Sequence, residues 1–232
     1  MNAWGFIPAR GGSRSIPLKN LLSLRGRPLI EYGIRASLAC KQLKRLVCSS
    51  DHEEILRTAR DLGVETDLRA SELSEDDSPV ASVAREFLLR QSEIPEILVL
   101  IQPTSPFLLP EHIDMLLDTF ERHPEIKSAH TVTPCSHNAH AWNQRFIDER
   151  GRIEFLFAEE RKQAYNKQRK PELHIFGNLI GARSAAILQG DGFYAEPAAG
   201  IPIPSAYGFD LDSPQDINSA EALLLSGEIA LP

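Results

Sequence analysis

Ile97-Leu98-Val99-Leu100-Ile101 is an unbroken apolar run, far shorter than the roughly 20 residues of a membrane span and without the alternation of a half-exposed strand. Such a run predicts a strand buried on both faces, as at the centre of a parallel sheet with cover above and below. The flanking pattern supplies that cover. Over the first 130 residues, short β-type runs alternate with longer helical repeats, the order of an α/β fold whose mainly parallel sheet is flanked by helices. Strands are predicted over 4–7, 45–48, 64–68, 97–101 and 129–132. Helices are predicted over 28–40, where Leu29, Ile30, Ile34 and Leu38 recur at helical spacing, over 79–90 behind a Ser78-Pro79 cap, and over 110–120. Asp51, with Glu54 three residues on, reads as the N-cap of a further helix ending near Gly63.

Residues 134–173 break this rhythm: 135–144 is polar and His-bearing, 152–157 reads as a strand, and 159–170 is strongly charged. The stretch exceeds an ordinary connection, so it reads as an inserted arm with a functional or oligomerising role. The core pattern resumes over 175–182, a short helix near 184–188, and a strand over 204–211. Ser213 and Pro214 then open a last helix whose Ile217, Ala220, Leu223 and Leu224 share one face. The expectation is one domain over 1–232 carrying this arm.

With 232 residues, 42% hydrophobic and 25% charged, the chain can bury a core without metal or disulfide staples. Lys plus Arg number 25 against 32 Asp plus Glu, a net charge of −7, which argues against a broad nucleic-acid or anionic-membrane surface. An anionic ligand must therefore meet a local cluster of cations. Met1-Asn2-Ala3-Trp4-Gly5 lacks the basic start and long apolar stretch of a secretory signal, so a cytoplasmic location is expected. Cys40, Cys48 and Cys135 lack metal-ligand spacing, and two of them sit among apolar residues as core thiols. His137 and His140 have no Cys or carboxylate partners in a zinc pattern.

The richest chemistry follows the first strand, in Ile7-Pro8-Ala9-Arg10-Gly11-Gly12-Ser13-Arg14-Ser15-Ile16-Pro17-Leu18-Lys19-Asn20. Adjacent glycines let backbone amides approach an anion, while Arg10, Arg14 and Lys19 supply compensating charge. A phosphate-holding loop is the sharper reading; a solvated basic turn and a turn that merely needs glycine are the plainer ones. The segment is neither a P-loop nor a dinucleotide fingerprint, since it lacks both the Gly-Lys-Ser/Thr end and three spaced glycines. Asp210-Leu211-Asp212 is the second feature: alternation puts both carboxylates on one side, near enough to share a divalent ion, although Asp212-Ser213-Pro214 is also a helix start. A phosphate cradle and a magnesium pair together point to phosphoryl or nucleotidyl transfer.

The segment 7–20, Val47-Cys48-Ser49-Ser50-Asp51, Leu100-Ile101-Gln102-Pro103-Thr104-Ser105-Pro106, and Phe209-Asp210-Leu211-Asp212 followed by Asp216 resemble, in order, the blocks of the CMP-N-acylneuraminate synthetases. These are cytidylyltransferases that activate sialic acid and related nine-carbon sugar acids. The resemblance spans nearly the whole chain. It implies a Rossmann-like nucleotidyltransferase fold, Mg²⁺-dependent use of CTP, and a homodimer whose arm reaches the partner's active site. It implies that Ala9, Arg10, Gly11, Gly12, Ser13, Lys19, Asn20 and Ser78 meet the nucleotide, and that Asp210 and Asp212 hold the metal. Arg10, Lys19 and Asp212 become the catalytic set. Gln102, Lys167, Arg169, Phe193 and Tyr194 become the sugar-binding set, with core packing the plainer reading of the aromatic pair.

The chain departs from the family at its sugar side. An Arg-rich stretch ending in Asn-Gly is replaced by Lys167-Gln168-Arg169-Lys170-Pro171 and then Ile175-Phe176-Gly177-Asn178. The sugar carboxylate then falls to Lys167, Arg169 or Lys170, or the acceptor differs from ordinary N-acetylneuraminate. Transfer from another nucleotide, transfer to an eight-carbon acid such as Kdo, and a catalytically silent nucleotide-binding relative are the rival readings.

Overall fold

The computed structural model describes residues 1–12, 16–69, 79–164 and 167–231, Lys167 by its backbone alone. The first half lays down β1 (Ala3–Pro8), a small hairpin of β2 (Ser23–Leu24) and β3 (Arg27–Pro28), α1 (Leu29–Ala39), β4 (Leu43–Ser50), α2 (Glu53–Asp61) and β5 (Glu65–Leu68). It continues with α3 (Val80–Leu89), β6 (Ile97–Leu100), α4 (Pro110–Arg122) and β7 (Ser128–Pro134). The arm holds β8 (Arg145–Ile147), β9 (Ile153–Phe155) and α5 (Ala158–Gln163). Then come β10 (His174–Arg183), α6 (Ser184–Gln189), β11 (Ala198–Pro202) and α7 (Pro214–Ser226).

A seven-stranded sheet in the order β11-β7-β10-β6-β1-β4-β5 forms the centre. All its strands run in one direction except β10, which lies antiparallel between β6 and β7. The apolar run at 97–100 is, as its composition requires, fully buried near the middle. Ile30, Ile34, Ile55 and Leu116, from α1, α2 and α4, cover one face, and Val83, Phe87 and Ile187, from α3 and α6, cover the other. A third cluster joins Leu24, Leu29, Tyr32 and Phe107 to Leu211 and Ala220, tying the late chain to the early hairpin. Among the described residues no helix is long and apolar enough to cross a membrane.

The structure corrects several readings. Asp51 does not cap α2: His52 is the N-cap, and the Asp51 carboxylate instead accepts from the Gly11 amide at 2.8 Å. Residues 204–211 are no strand but a single turn, Ser205–Gly208, followed by chain outside the sheet that makes one backbone bond to the loop after β6, Leu211 N–H to Thr104 O at 2.8 Å. The sheet instead ends, beyond β7, in β11, with its alanines, glycine and proline. The strand expected at 152–157 is the second half of the β8–β9 hairpin. Cys40 and Cys48 are core thiols, and burial pushes the Cys48 thiol up to about 12. The expected Ser78 cap lies outside the described residues; α3 starts after Pro79.

Candidate active site

β1 delivers the chain to the carboxyl edge of the sheet, where β4 and β6 also end. The glycine turn starts there and is shaped by its neighbours. Ala9 is buried and its N–H donates to Ser49 O at 2.9 Å, so that amide is committed to the sheet. A Cβ on Gly11 would stand 2.8 Å from the Cβ of His52, so no side chain fits. Gly12 has open space around it. Asn20, nearly buried, donates its side-chain amide to Arg10 O at 2.9 Å and pins the two ends of the turn together. Ser13 lies outside the described residues.

The two ends of the chain meet at this turn. Lys19 Nζ donates to Leu211 O at 2.8 Å and lies 3.2 Å from Asp212 Oδ1, a contact across 193 positions. Leu211 is fully buried while Asp210 and Asp212 are exposed on either side of it, so both carboxylates face away from the core. Of the two, Asp212 lines the cleft described below. Asp210 Oδ1 accepts from Ser105 Oγ at 3.4 Å. Asp216 is withdrawn from ligand work, because its carboxylate accepts from the amides of Asp212 and Ser213 at 2.9 and 2.7 Å. Those bonds hold it below the usual carboxylate range.

Arg10, Lys19, Asn20, Gln102 and Asp212 line one cleft of about 410 Å³, with Pro8, Leu100 and Val80 among its apolar walls. That volume suits a small ligand. Beside it lies a residue that the sequence reading missed. Arg69 follows β5 at the same sheet edge and is 6% exposed, with Nε and Nη2 lacking partners among the described residues. Burial pulls its guanidinium down from the ordinary range, opposed by Asp51 and Asp67, with Arg10 adding repulsion. A buried cation with such donors calls for an acceptor that the described residues do not supply. Its sequence signal was slight: an arginine directly after an edge strand.

The expected sugar-side residues do not all gather here. Gln102 is in the cleft. Phe193 is 2% exposed within the core cluster that holds Phe87, and Tyr194 is exposed, edge-on to His130 at 5.1 Å. Arg169 sits on an exposed turn of the arm, and of Lys167 only the backbone is described. Lys170 belongs to a second cleft of about 340 Å³ with Pro134, Cys135, His137 and His140. In proteins Mg²⁺ is met by one or two carboxylates, with substrate phosphates and water completing its oxygens. Asp210 and Asp212 could supply that much, and the described residues hold no group of three or more acidic, His or Cys side chains that would cage an ion alone. The donor set fits a magnesium ion shared with a phosphorylated ligand.

Known proteins place this arrangement. The chain is 29% identical to the CMP-N,N'-diacetyllegionaminic acid synthase of Legionella pneumophila over 236 aligned residues, covering the whole of both. It is 41% identical over 107 residues to N-acylneuraminate cytidylyltransferase A of Danio rerio, a match that covers 46% of this chain but only 25% of that longer relative. The solved structure of CMP:2-keto-3-deoxy-manno-octonic acid synthetase complexed with CTP has the same fold, with a TM-score of 0.75 at 16% identity over 97% of this chain and 99% of that one. The family described as Cytidylyltransferase matches residues 4–222. That match runs from β1 through the cleft into α7, and the chain belongs to the cytidylyltransferase family.

Proposed function

We propose that this chain transfers CMP from CTP to a 2-keto sugar acid of the nonulosonic, sialic type, releasing pyrophosphate. The observation that carries the proposal is the meeting of Lys19 with Leu211 and Asp212 in the cleft that also holds Arg10, Asn20 and Gln102. Cations suited to a triphosphate and a carboxylate suited to a metal then stand side by side on the wall of one cleft. The legionaminic and neuraminic acid names of the relatives support the choice of acceptor.

In the proposed reaction the anomeric hydroxyl oxygen of the sugar bonds to the α-phosphorus. The bond from that phosphorus to the bridging oxygen breaks, and pyrophosphate leaves with the electron pair while the hydroxyl proton passes to solvent. Arg10 and Lys19 neutralise charge on the phosphates. Arg69 donates to the nucleotide from its buried position, and Gly12, with open space around it, lets the backbone approach. Gln102 orients the sugar. Asp210 and Asp212 would hold Mg²⁺, which when bound would neutralise phosphate charge and ease loss of the sugar hydroxyl proton. The protein's own contribution is positioning and fixed charge rather than a covalent intermediate.

We further propose that the enzyme is a cytoplasmic homodimer joined through the arm. Phe146, Ile147, Ile153 and Leu156 are 48, 70, 60 and 60% exposed on a hairpin too small to bury them itself. The test is pyrophosphate release from CTP, GTP, UTP and ATP against nine-carbon and eight-carbon sugar acids. CTP with a nine-carbon acid is expected to turn over, and release with GTP alone would remove the assignment. Asp212→Ala is expected to abolish turnover in a folded protein; an active variant would refute the metal role.

A further inference from the structure

Asp210 and Asp212 ride on chain that belongs to no strand, so something other than the sheet ladder must fix their place. Besides the bonds from Ser105 to Asp210 and from the Asp212 amide to Asp216, a buried fixed point just upstream is Asn178. It is fully buried where β10 slips register against β7, between Phe176 and Ile180. Its side-chain nitrogen lies 3.0 Å from Tyr207 O, 3.0 Å from His112 Nδ1 and 3.4 Å from Phe107 O, while its oxygen accepts from Thr131 Oγ1 at 3.1 Å. An amide nitrogen has two hydrogens, so the two short bonds carry them.

His112 completes the clamp. Leu109 N–H points at the same Nδ1 at 3.3 Å, and a backbone amide can only donate, so Nδ1 is bare and the ring hydrogen sits on Nε2. The ring also stands edge-on to that of Tyr207, with centroids 5.3 Å apart. Tyr207 is thus gripped by its carbonyl and by its ring. Four residues later, Leu211 is gripped by Thr104 O and by Lys19 Nζ. Asp210 lies between these two anchors and Asp212 immediately beyond the second.

We propose that Asn178, backed by His112, is a positioning residue that sets Asp210 and Asp212 for the metal in the transfer step. The proposal rests on the function proposed above, and deepens it by naming what holds the acid pair. Neither residue lines the cleft, so the effect proposed travels through the Tyr207 backbone.

The experiment compares wild type with Asn178→Ala and with His112→Phe, which keeps a ring against Tyr207 but removes the acceptor. Two affinities are measured with the sugar omitted, so that nothing turns over. CTP binding in EDTA is read by equilibrium dialysis, and Mn²⁺ binding with CTP is read by water-proton relaxation. Folding is checked by circular dichroism. The expected result is unchanged metal-free CTP affinity with Mn²⁺ binding weakened about 10-fold or more, the scale seen when second-layer partners of metal ligands are removed, and a matching fall in kcat when pyrophosphate release is measured separately with sugar and Mg²⁺ present. If Asn178→Ala fails to fold, His112→Phe carries the test. A folded variant with wild-type Mn²⁺ binding, or one that loses metal-free CTP affinity equally, overturns the clamp. Asp212→Ala with wild-type Mn²⁺ binding would instead sink the metal site itself, whatever Asn178 does.

Discussion

Arg69 keeps a guanidinium in the interior with two nitrogens unpaired among the described residues, and each such donor costs about 1–3 kcal/mol. Arg69→Met is therefore expected to raise the melting temperature of the free protein while shrinking the rise that CTP produces, both read by calorimetry. A fall in the first with no change in the second would make Arg69 structural. His112 gives a pH signature. Burial lowers its imidazole from an ordinary 6.5 to about 4, so between those values the unfolded chain binds more protons than the folded one. Its contribution is complete above 6.5 and is lost as pH falls toward 4, by about 3 kcal/mol. Urea midpoints at about pH 7 and about pH 4.5 check this, since His112→Phe should flatten that part of the profile. Arg10, Lys19 and Asp212 are legible in the sequence because cations beside paired glycines and an Asp-x-Asp pair have few other uses together. Arg69 and Asn178 are not, because burial and convergence are properties of the assembled sheet.

The elements show what periodicity can and cannot convey. β6 announces itself by unbroken apolar residues, and α1 and α4 by their helical repeats. β11 stays hidden because Ala198-Ala199-Gly200-Ile201-Pro202 has little β propensity and is tolerated only at an edge, where Pro202 faces no missing ladder bond beyond it. The acid-bearing segment misleads in the opposite sense: its alternation is strand-like, yet its hydrogen bonds go to side chains and a loop carbonyl. β10 has the tightest tolerance. A Cβ on Gly177 would lie 2.7 Å from Thr131 Oγ1 and 2.9 Å from Thr131 C and O, and backbone atoms cannot swing aside. Thr131 Oγ1 also serves the amides of Asn178 and Leu179 at 2.9 and 2.8 Å. Gly177→Ala is expected to cost about 1–3 kcal/mol in urea unfolding, and a variant of wild-type stability would mean that β10 can move.

For the whole molecule, the sheet is a continuous four-strand block of β6, β1, β4 and β5 to which β10, β7 and β11 are added. The arm leaves between β7 and β10 with its apolar hairpin exposed. Ile147→Lys alters a residue 70% exposed in the single chain, so it should leave the unfolding of a protomer nearly unchanged while shifting the proposed dimer toward monomer in sedimentation equilibrium. A dimer that persists would locate the interface elsewhere. The contact between Lys19 and Leu211 has one more implication, for the life of the chain on the ribosome. The turn that carries Lys19 is made early and the segment at 210–212 late, so the cleft that Lys19 and Asp212 both line is complete only once the late chain has folded back onto the early one.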